Sequence, residues 1–184
     1  IIIHTDRTKV IQIVSNTVNN SLKFTGNGGV HVQFSLVNTL HTAMEECEKV
    51  VCNYSGVVYI LKEGELFTSI DMARTHINSM PNILNQKWMC IRVSDTGCGI
   101  APTELVNMFE PFIQASAGSN RNFQGTGLGL YICLSLCQQL NGFIVCASTP
   151  GVGTVVHIFI PVQIGDETTA VELADVNRTA PLKD

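Results

Sequence analysis

Three groups of residues in this chain have the types and spacing to hold a polyanion, a metal ion and a flat ring. Gly125-Thr126-Gly127-Leu128-Gly129-Leu130 sets three glycines at alternate positions ahead of an apolar run. If that run is a helix, its first backbone N–H groups lack partners and its dipole favours an anion. Asn20 can offer Mg²⁺ a neutral oxygen, which suits an ion that keeps several waters and bridges to phosphate oxygens. Lys23, one turn on, can act as a point charge on phosphate. Asp95-Thr96-Gly97-Cys98-Gly99-Ile100 follows an alternating apolar segment. A carboxylate at a strand end can accept the exocyclic amine of adenine. Gly97 and Gly99 lack the Cβ that would hold a ring off the backbone, and Ile100 can pack on it.

Taken singly these signals are weak. An Asp with two glycines is usually a capped turn, and an Asn and a Lys on a helix are usually solvated. Two other phosphate-binding readings fail on context. The dinucleotide fingerprint needs a strand immediately before its glycines and an acidic residue about twenty positions later. Here a loop precedes Gly125, and the next acidic residue is Asp166. No Gly-Lys-Ser or Gly-Lys-Thr of a P-loop occurs.

The elements that must position these residues follow from the apolar periodicity. Residues 6–24 read as a helix with Asp6 as N-cap and Val10, Ile11, Val14, Val18 and Leu22 as its apolar stripe. Asn16, Asn20 and Lys23, four and three apart, share a neighbouring edge. Val30 to Leu36 alternates as a half-buried strand. Trp88 to Ser94 is a second strand, with Met89, Ile91 and Val93 on one face. Residues 38–87 between them read as an insertion, with short strands at Val50-Val51 and Val57 to Leu61 and a helix from Ile70 to Met80. Pro102 to Met108 is a short helix with Pro at its start. Thr126 to Leu140 is an apolar helix that turns at Asn141-Gly142. Strands Phe143 to Ala147 and Thr154 to Ile160 follow, and Pro161 closes the core. Ile1 to His4 reads as the end of a strand, and 163–184 as a polar tail or linker. This order implies one domain over 1–162.

Bulk composition excludes some functions. With 184 residues, 45% hydrophobic content and a formal net charge of −4, the chain supports one core and shows no basic patch for nucleic acid or an anionic membrane. No run approaches a membrane span and no signal peptide is evident. Seven cysteines, with no Cys-x-x-Cys, read as small buried hydrophobes of a reducing compartment.

Taken together, these motifs resemble the ATP-binding catalytic domain of sensor histidine kinases, in the class that also holds gyrase-type topoisomerases and a heat-shock chaperone. Asn16 to Thr25 resembles the N box with its Lys-Phe-Thr ending, and Phe109-Glu110-Pro111-Phe112 resembles the aromatic box of hybrid kinases. The resemblance implies an α+β fold: a two-layer sandwich, its mixed, mostly antiparallel sheet covered on one face by helices (the Bergerat ATP-binding fold). It implies ATP and Mg²⁺ as cofactors. Asn20 ligates the metal, while Asn16, Lys23, Arg121, Gly125, Gly127 and Gly129, with Thr126 and Leu128 in the same box, meet the phosphates. Asp95, Gly97, Gly99, Ile100 and Thr154 surround adenine, and Phe109 completes the binding set. Asn16, Lys23 and Arg121 are then the catalytic group.

The ATPases of this class place a water-activating Glu four residues before the magnesium Asn. That position is Asn16 here, which implies holding ATP for transfer rather than hydrolysing it. His4, His31, His41, His76 and His157 lack the surroundings of the family's phosphoacceptor. The implied acceptor is a histidine-bearing dimerisation domain outside this chain, on the cytoplasmic side, with a receiver domain downstream and membrane anchoring of the parent left open. Gln124, where the family has glycine, and the long insertion leave an alternative: a degenerate kinase acting as a nucleotide-binding regulatory module.

Overall fold

The computed structural model describes residues 2–60, 66–79, 86–113 and 126–165. The first long element is α1 (Arg7–Phe24), begun by Asp6, whose carboxylate accepts from the Lys9 N–H at 3.1 Å. A cap of this kind contributes about 1 kcal/mol. The apolar stripe expected on α1 holds at Val10, Val14 and Val18, which pack against the core, and needs correction at Ile11 and Leu22. Ile13, Thr17 and Ser21 are its buried positions, whereas Ile11 and Leu22 are 50% and 58% exposed. The buried ridge can be polar because it is satisfied locally: the Thr17 hydroxyl donates to the Ile13 carbonyl at 2.8 Å.

The remaining elements are β1 (Ile2–His4), β2 (Val30–Val37), α2 (Leu40–Val51), β3 (Gly56–Ile60), β4 (Leu66–Phe67), α3 (Ile70–Ser79), β5 (Lys87–Asp95), α4 (Pro102–Leu105), α5 (Gly129–Gln139), β6 (Phe143–Thr149) and β7 (Gly153–Gly165). The sheet runs β2-β5-β7-β6-β3-β4, with β1 on the far end of β7, and every described pairing is antiparallel. β7 continues past Pro161, contrary to expectation. Its β6 ladder ends at Phe159 and its β1 ladder begins at Gln163, so one edge is open at Pro161, where a residue without an N–H is tolerated.

The α+β class and the sandwich core are as expected. Helices α1, α4 and α5 cover one face over Ile91, Val93, Ile144, Cys146, Val156 and Ile158. The expectation of helices on one face alone is corrected by α2 and α3. They bury the opposite face over Trp88, Phe143, Val145 and Phe159. Val50 and Val51 belong to α2 rather than to a strand, since Leu40, Ala43, Met44, Cys47 and Val51 recur at helical spacing on its buried side. Residues 38–87 are thus not an appendage. Their β3 pairs with β6, and Val58 and Ile60 join the core under α1 and α5.

Candidate functional site

One polar row crosses the apolar face that carries α1 and α5. Asp95 pairs with Thr154 across β5 and β7, and Thr154 pairs with Ser148 across β7 and β6. Side chains opposite one another in an antiparallel pair share a face. The adjacent rank on that face is Val93, Val156 and Cys146, all buried. The polar row therefore closes one end of a hydrophobic floor. Asp95, 9% exposed, has one carboxylate oxygen engaged: Oδ1 accepts from Gly97 N–H at 3.0 Å and from Thr154 N–H at 3.2 Å. This fixes the orientation of the carboxylate, and Oδ2 has no hydrogen-bond partner among the described residues.

The loop after Asp95 is tied to both neighbours. The Cys98 N–H donates to the Phe24 carbonyl at the end of α1, 3.2 Å. The Gly29 N–H donates to Thr96 Oγ1 at 3.0 Å and the Thr96 N–H to the Gly29 carbonyl at 3.2 Å. On the other side, the Gly151 N–H donates to the Cys98 carbonyl at 2.8 Å and the Ile100 N–H to Ser148 Oγ at 2.8 Å. The two glycines meet protein rather than empty space. A Cβ at Gly97 would crowd the Phe24 carbonyl, and one at Gly99 (φ +67) would overlap the Thr149 carbonyl. Their first physical role is thus close chain approach and a left-handed turn.

The second half of the site lies between α1 and α5. A Cβ built at Gly129 would stand 3.3 Å from Asn20 Nδ2 and 3.5 Å from Oδ1, which puts the Asn20 amide beside the first residue of α5. One turn further along α5, the Cys133 thiol meets Thr17 Oγ1 at 3.6 Å and donates to the Ile13 carbonyl at 3.5 Å. The ammonium of Lys23 lies 5.0 Å from the centroid of the Phe24 ring. Helix α5 starts at Gly129, three residues later than expected, and Leu128 at its N-cap makes no side-chain cap. Leu128 thus offers the leading N–H groups no side-chain acceptor. Thr126 Oγ1 accepts from Leu128 N–H at 3.3 Å and shapes the approach. Gly127 (φ +69) abuts Phe112, whose N–H donates to the Gly127 carbonyl at 3.1 Å.

Of the expected site residues, Asp95, Gly97, Gly99, Ile100 and Thr154 converge at one end. Asn16, Asn20, Thr126, Gly127, Leu128 and Gly129 converge at the α1–α5 junction, with Lys23 near the end of α1. Arg121 and Gly125 lie outside the described residues, as does the stretch 114–124. Phe109 is 5% exposed and packs in the core with Leu105 and Met108, while Phe112 is 73% exposed. Ser148, fully buried at the centre of the polar row, was not among the expected residues. Its one sequence signal is a hydroxyl residue closing an otherwise apolar strand just before the Pro150-Gly151 turn.

The cysteines behave largely as expected, and all seven are free. Burial pushes the Cys133 thiol up to about 11 and raises Cys137 further. Cys52 and Cys98 are exposed instead. No group of three or more His, Cys, Asp or Glu among the described residues is placed to hold a metal ion. No described helix is long and apolar enough to cross a membrane.

Comparison with known proteins now decides the family. Residues 5–164 match the model of the histidine kinase-, DNA gyrase B- and HSP90-like ATPases. The chain belongs to this family. It is 40% identical over 102 residues to the sensor histidine kinase RcsC of Salmonella typhimurium, covering 55% of this chain and 10% of that protein. It is 29% identical to Histidine kinase 1 of Arabidopsis thaliana over 88% of this chain and 13% of the relative. It is 32% identical to the autoinducer 2 sensor kinase/phosphatase LuxQ of Vibrio vulnificus over 89% of this chain and 14% of the relative. The chain thus spans a small part of the curated relatives it matches. Full-length ShkA, solved in complex with AMPPNP, shares the fold with a TM-score of 0.54 at 23% identity, over 89% of this chain and 23% of that one. The mycobacterial sensor histidine kinase MprB does so with a TM-score of 0.51 at 20% identity, over 88% and 75% of the two chains.

Proposed function

We propose that this domain binds Mg-ATP and donates the γ-phosphate to a histidine on a separate dimerisation and phosphoacceptor domain, in a two-component phosphorelay. The observation that carries this reading is the pairing of two half-sites on one face of the sheet. Asp95, with one oxygen pinned and one free, stands at the strand ends, and Asn20 stands beside the uncapped start of α5. An adenine at the first would extend its phosphates toward the second. Asn20 would hold Mg²⁺ through its amide oxygen, and the bound ion would draw charge from the phosphates. Lys23 and the leading N–H groups of α5 would bind phosphate oxygens.

Asn16 supports transfer over hydrolysis. It is an amide, with no capacity to take a proton from water. A positioned base contributes roughly 10²–10⁴-fold, so the isolated chain should turn ATP over slowly. The test is to add the parent protein's own histidine-bearing hairpin to this chain with labelled ATP. The expected product is an acid-labile phosphohistidine on the hairpin, with little free phosphate from the chain alone. Rapid hydrolysis by the chain alone, lost on Asn20→Ala, would instead place it with the hydrolysing members of the family.

A further inference from the structure

We propose that Ser148 is a specificity-determining residue of the purine site, acting through the hydroxyl of Thr154 to select an aminopurine over an oxopurine. The proposal rests on the reading of Asp95 as the base-binding residue.

The argument is a count of hydrogen-bond valences. A serine hydroxyl has one proton to donate and two lone pairs to accept with. Ser148 Oγ has three protein partners: the Ile100 N–H at 2.8 Å, the Gly153 carbonyl at 3.0 Å and Thr154 Oγ1 at 2.9 Å. Ile100 can only donate and the Gly153 carbonyl can only accept. The one arrangement that satisfies all three has Ser148 donating to Gly153 and accepting from both Ile100 and Thr154. The Thr154 proton is then committed to Ser148, and the Thr154 oxygen offers only lone pairs to a ligand. Ser148 is fully buried, so no water competes for its bonds.

Thr154 is the cross-strand neighbour of Asp95 on the same face, and its N–H helps to pin the Asp95 carboxylate. The wall at this end of the site is therefore made of acceptors: Asp95 Oδ2 and Thr154 Oγ1. Adenine presents an amine at position 6, whereas guanine presents an oxygen there. An acceptor wall attracts the first and repels the second. Were Ser148 absent, the Thr154 hydroxyl would be free to turn its proton toward a guanine oxygen, and half of the discrimination would be lost.

The test is binding of ATP and GTP, each with Mg²⁺, to the wild-type chain, Ser148→Ala, Thr154→Val and the double variant, by calorimetry. Ser148→Ala should lower the ATP-to-GTP affinity ratio by about tenfold, the scale of one hydrogen bond gained or lost. In the Thr154→Val background the same change should leave the ratio within about twofold, because its target is gone. Where Ser148→Ala does not fold, judged by Trp88 fluorescence, Ser148→Cys carries the same comparison with a poorer acceptor. Equal weakening of ATP and GTP by Ser148→Ala would overturn the proposal in favour of a merely structural role. An equal change of ratio with and without the Thr154 hydroxyl would overturn it too. Absence of nucleotide binding by the wild-type chain would instead overturn the reading of the site on which the proposal stands.

Discussion

Asp95→Asn isolates the chemistry of the site because the change is isosteric and its consequence can be worked from the bonds present. In the wild type, Oδ1 accepts two backbone N–H groups, from Gly97 and Thr154, and Oδ2 is left over. The asparagine oxygen will keep the Oδ1 position, since the flipped amide would aim its NH₂ at two N–H donors in a buried place. The NH₂ group then replaces Oδ2 and faces the adenine amine, donor against donor. Loss of a hydrogen bond to a charged acceptor costs roughly 1.5–3 kcal/mol, which weakens ATP or ADP by about 10- to 150-fold. The fold itself should tolerate the change, because the two backbone bonds persist. The assay is calorimetric titration with ADP and a non-hydrolysable ATP analogue, beside urea unfolding of both proteins. A second arm uses inosine triphosphate, which carries an oxygen where adenine has its amine. The asparagine variant should lose little or no affinity for it relative to wild type. Equal adenine-nucleotide affinity in a folded Asp95→Asn protein would refute the reasoning, since it would mean that Oδ2 does not meet the base.

Other outcomes follow from the same geometry. His157 is buried with Nε2 unpartnered, and burial first, then the Arg92 charge, depresses its pKa from 6.5 to about 4. The unfolded chain binds the proton more readily, so stability is full above about pH 6.5 and falls by roughly 3 kcal/mol as pH drops toward 4. Urea titrations should show that slope, and His157→Phe should flatten it. Gly99→Ala forces a side chain into a left-handed turn against the Thr149 carbonyl and should lower unfolding free energy by at least about 1–3 kcal/mol, while Gly26→Ala, with open space around it, should change it by less than about 0.5 kcal/mol. Replacing residues 38–87 with a short linker removes β3 and uncovers Trp88, Phe143 and Phe159. The emission of Trp88, the single tryptophan, should then shift to the red as the domain loses its packing.

The parts of this fold that the sequence discloses are those where one local rule acts unopposed. Asp6 and the polar edge of Asn16, Asn20 and Lys23 announce α1, and Asn141 (φ 56) turns the chain before β6 as an Asn-Gly pair should. Val10, Val14 and Val18 face the core as read, but the deepest positions of α1 were not legible. Thr17 and Ser21 sit inward because small residues let helix and sheet approach, and their hydroxyls, or their modest size, make burial tolerable. Val50 and Val51 invite a strand by propensity, yet the Thr39 cap and the apolar spacing behind them prevail in α2. Ser148 was hidden for a related reason. β6 is buried on both faces, so its residues show no alternation to mark which side chain points to the site. A serine there looks like a strand end rather than the hub of three hydrogen bonds.

The way the two half-sites are joined bears on how such a domain could respond to its ligand. The loop after Asp95 bonds at one side to the end of α1, through Phe24, and to the loop before β2, through Gly29, and at the other to β6 and the β6–β7 turn, through Ser148 and Gly151. α1 in turn packs on α5 through Ile13, Thr17 and Cys133. On the proposed reading, a base seated against Asp95 and phosphates seated beside Gly129 would both bear on the C-terminal part of α1, at Phe24 and at Asn20. Between those points runs the last turn of α1, seated on a close-packed core that transmits small displacements rather than absorbing them. Binding at both points would fix the spacing of α1 against α5. A ligand that fills only the Asp95 end would leave the start of α5, and Phe112 tied to it through Gly127, without that constraint. On the proposed reading, discrimination between nucleotide states would lie at the start of α5, and discrimination between bases at the row of Asp95 and Thr154.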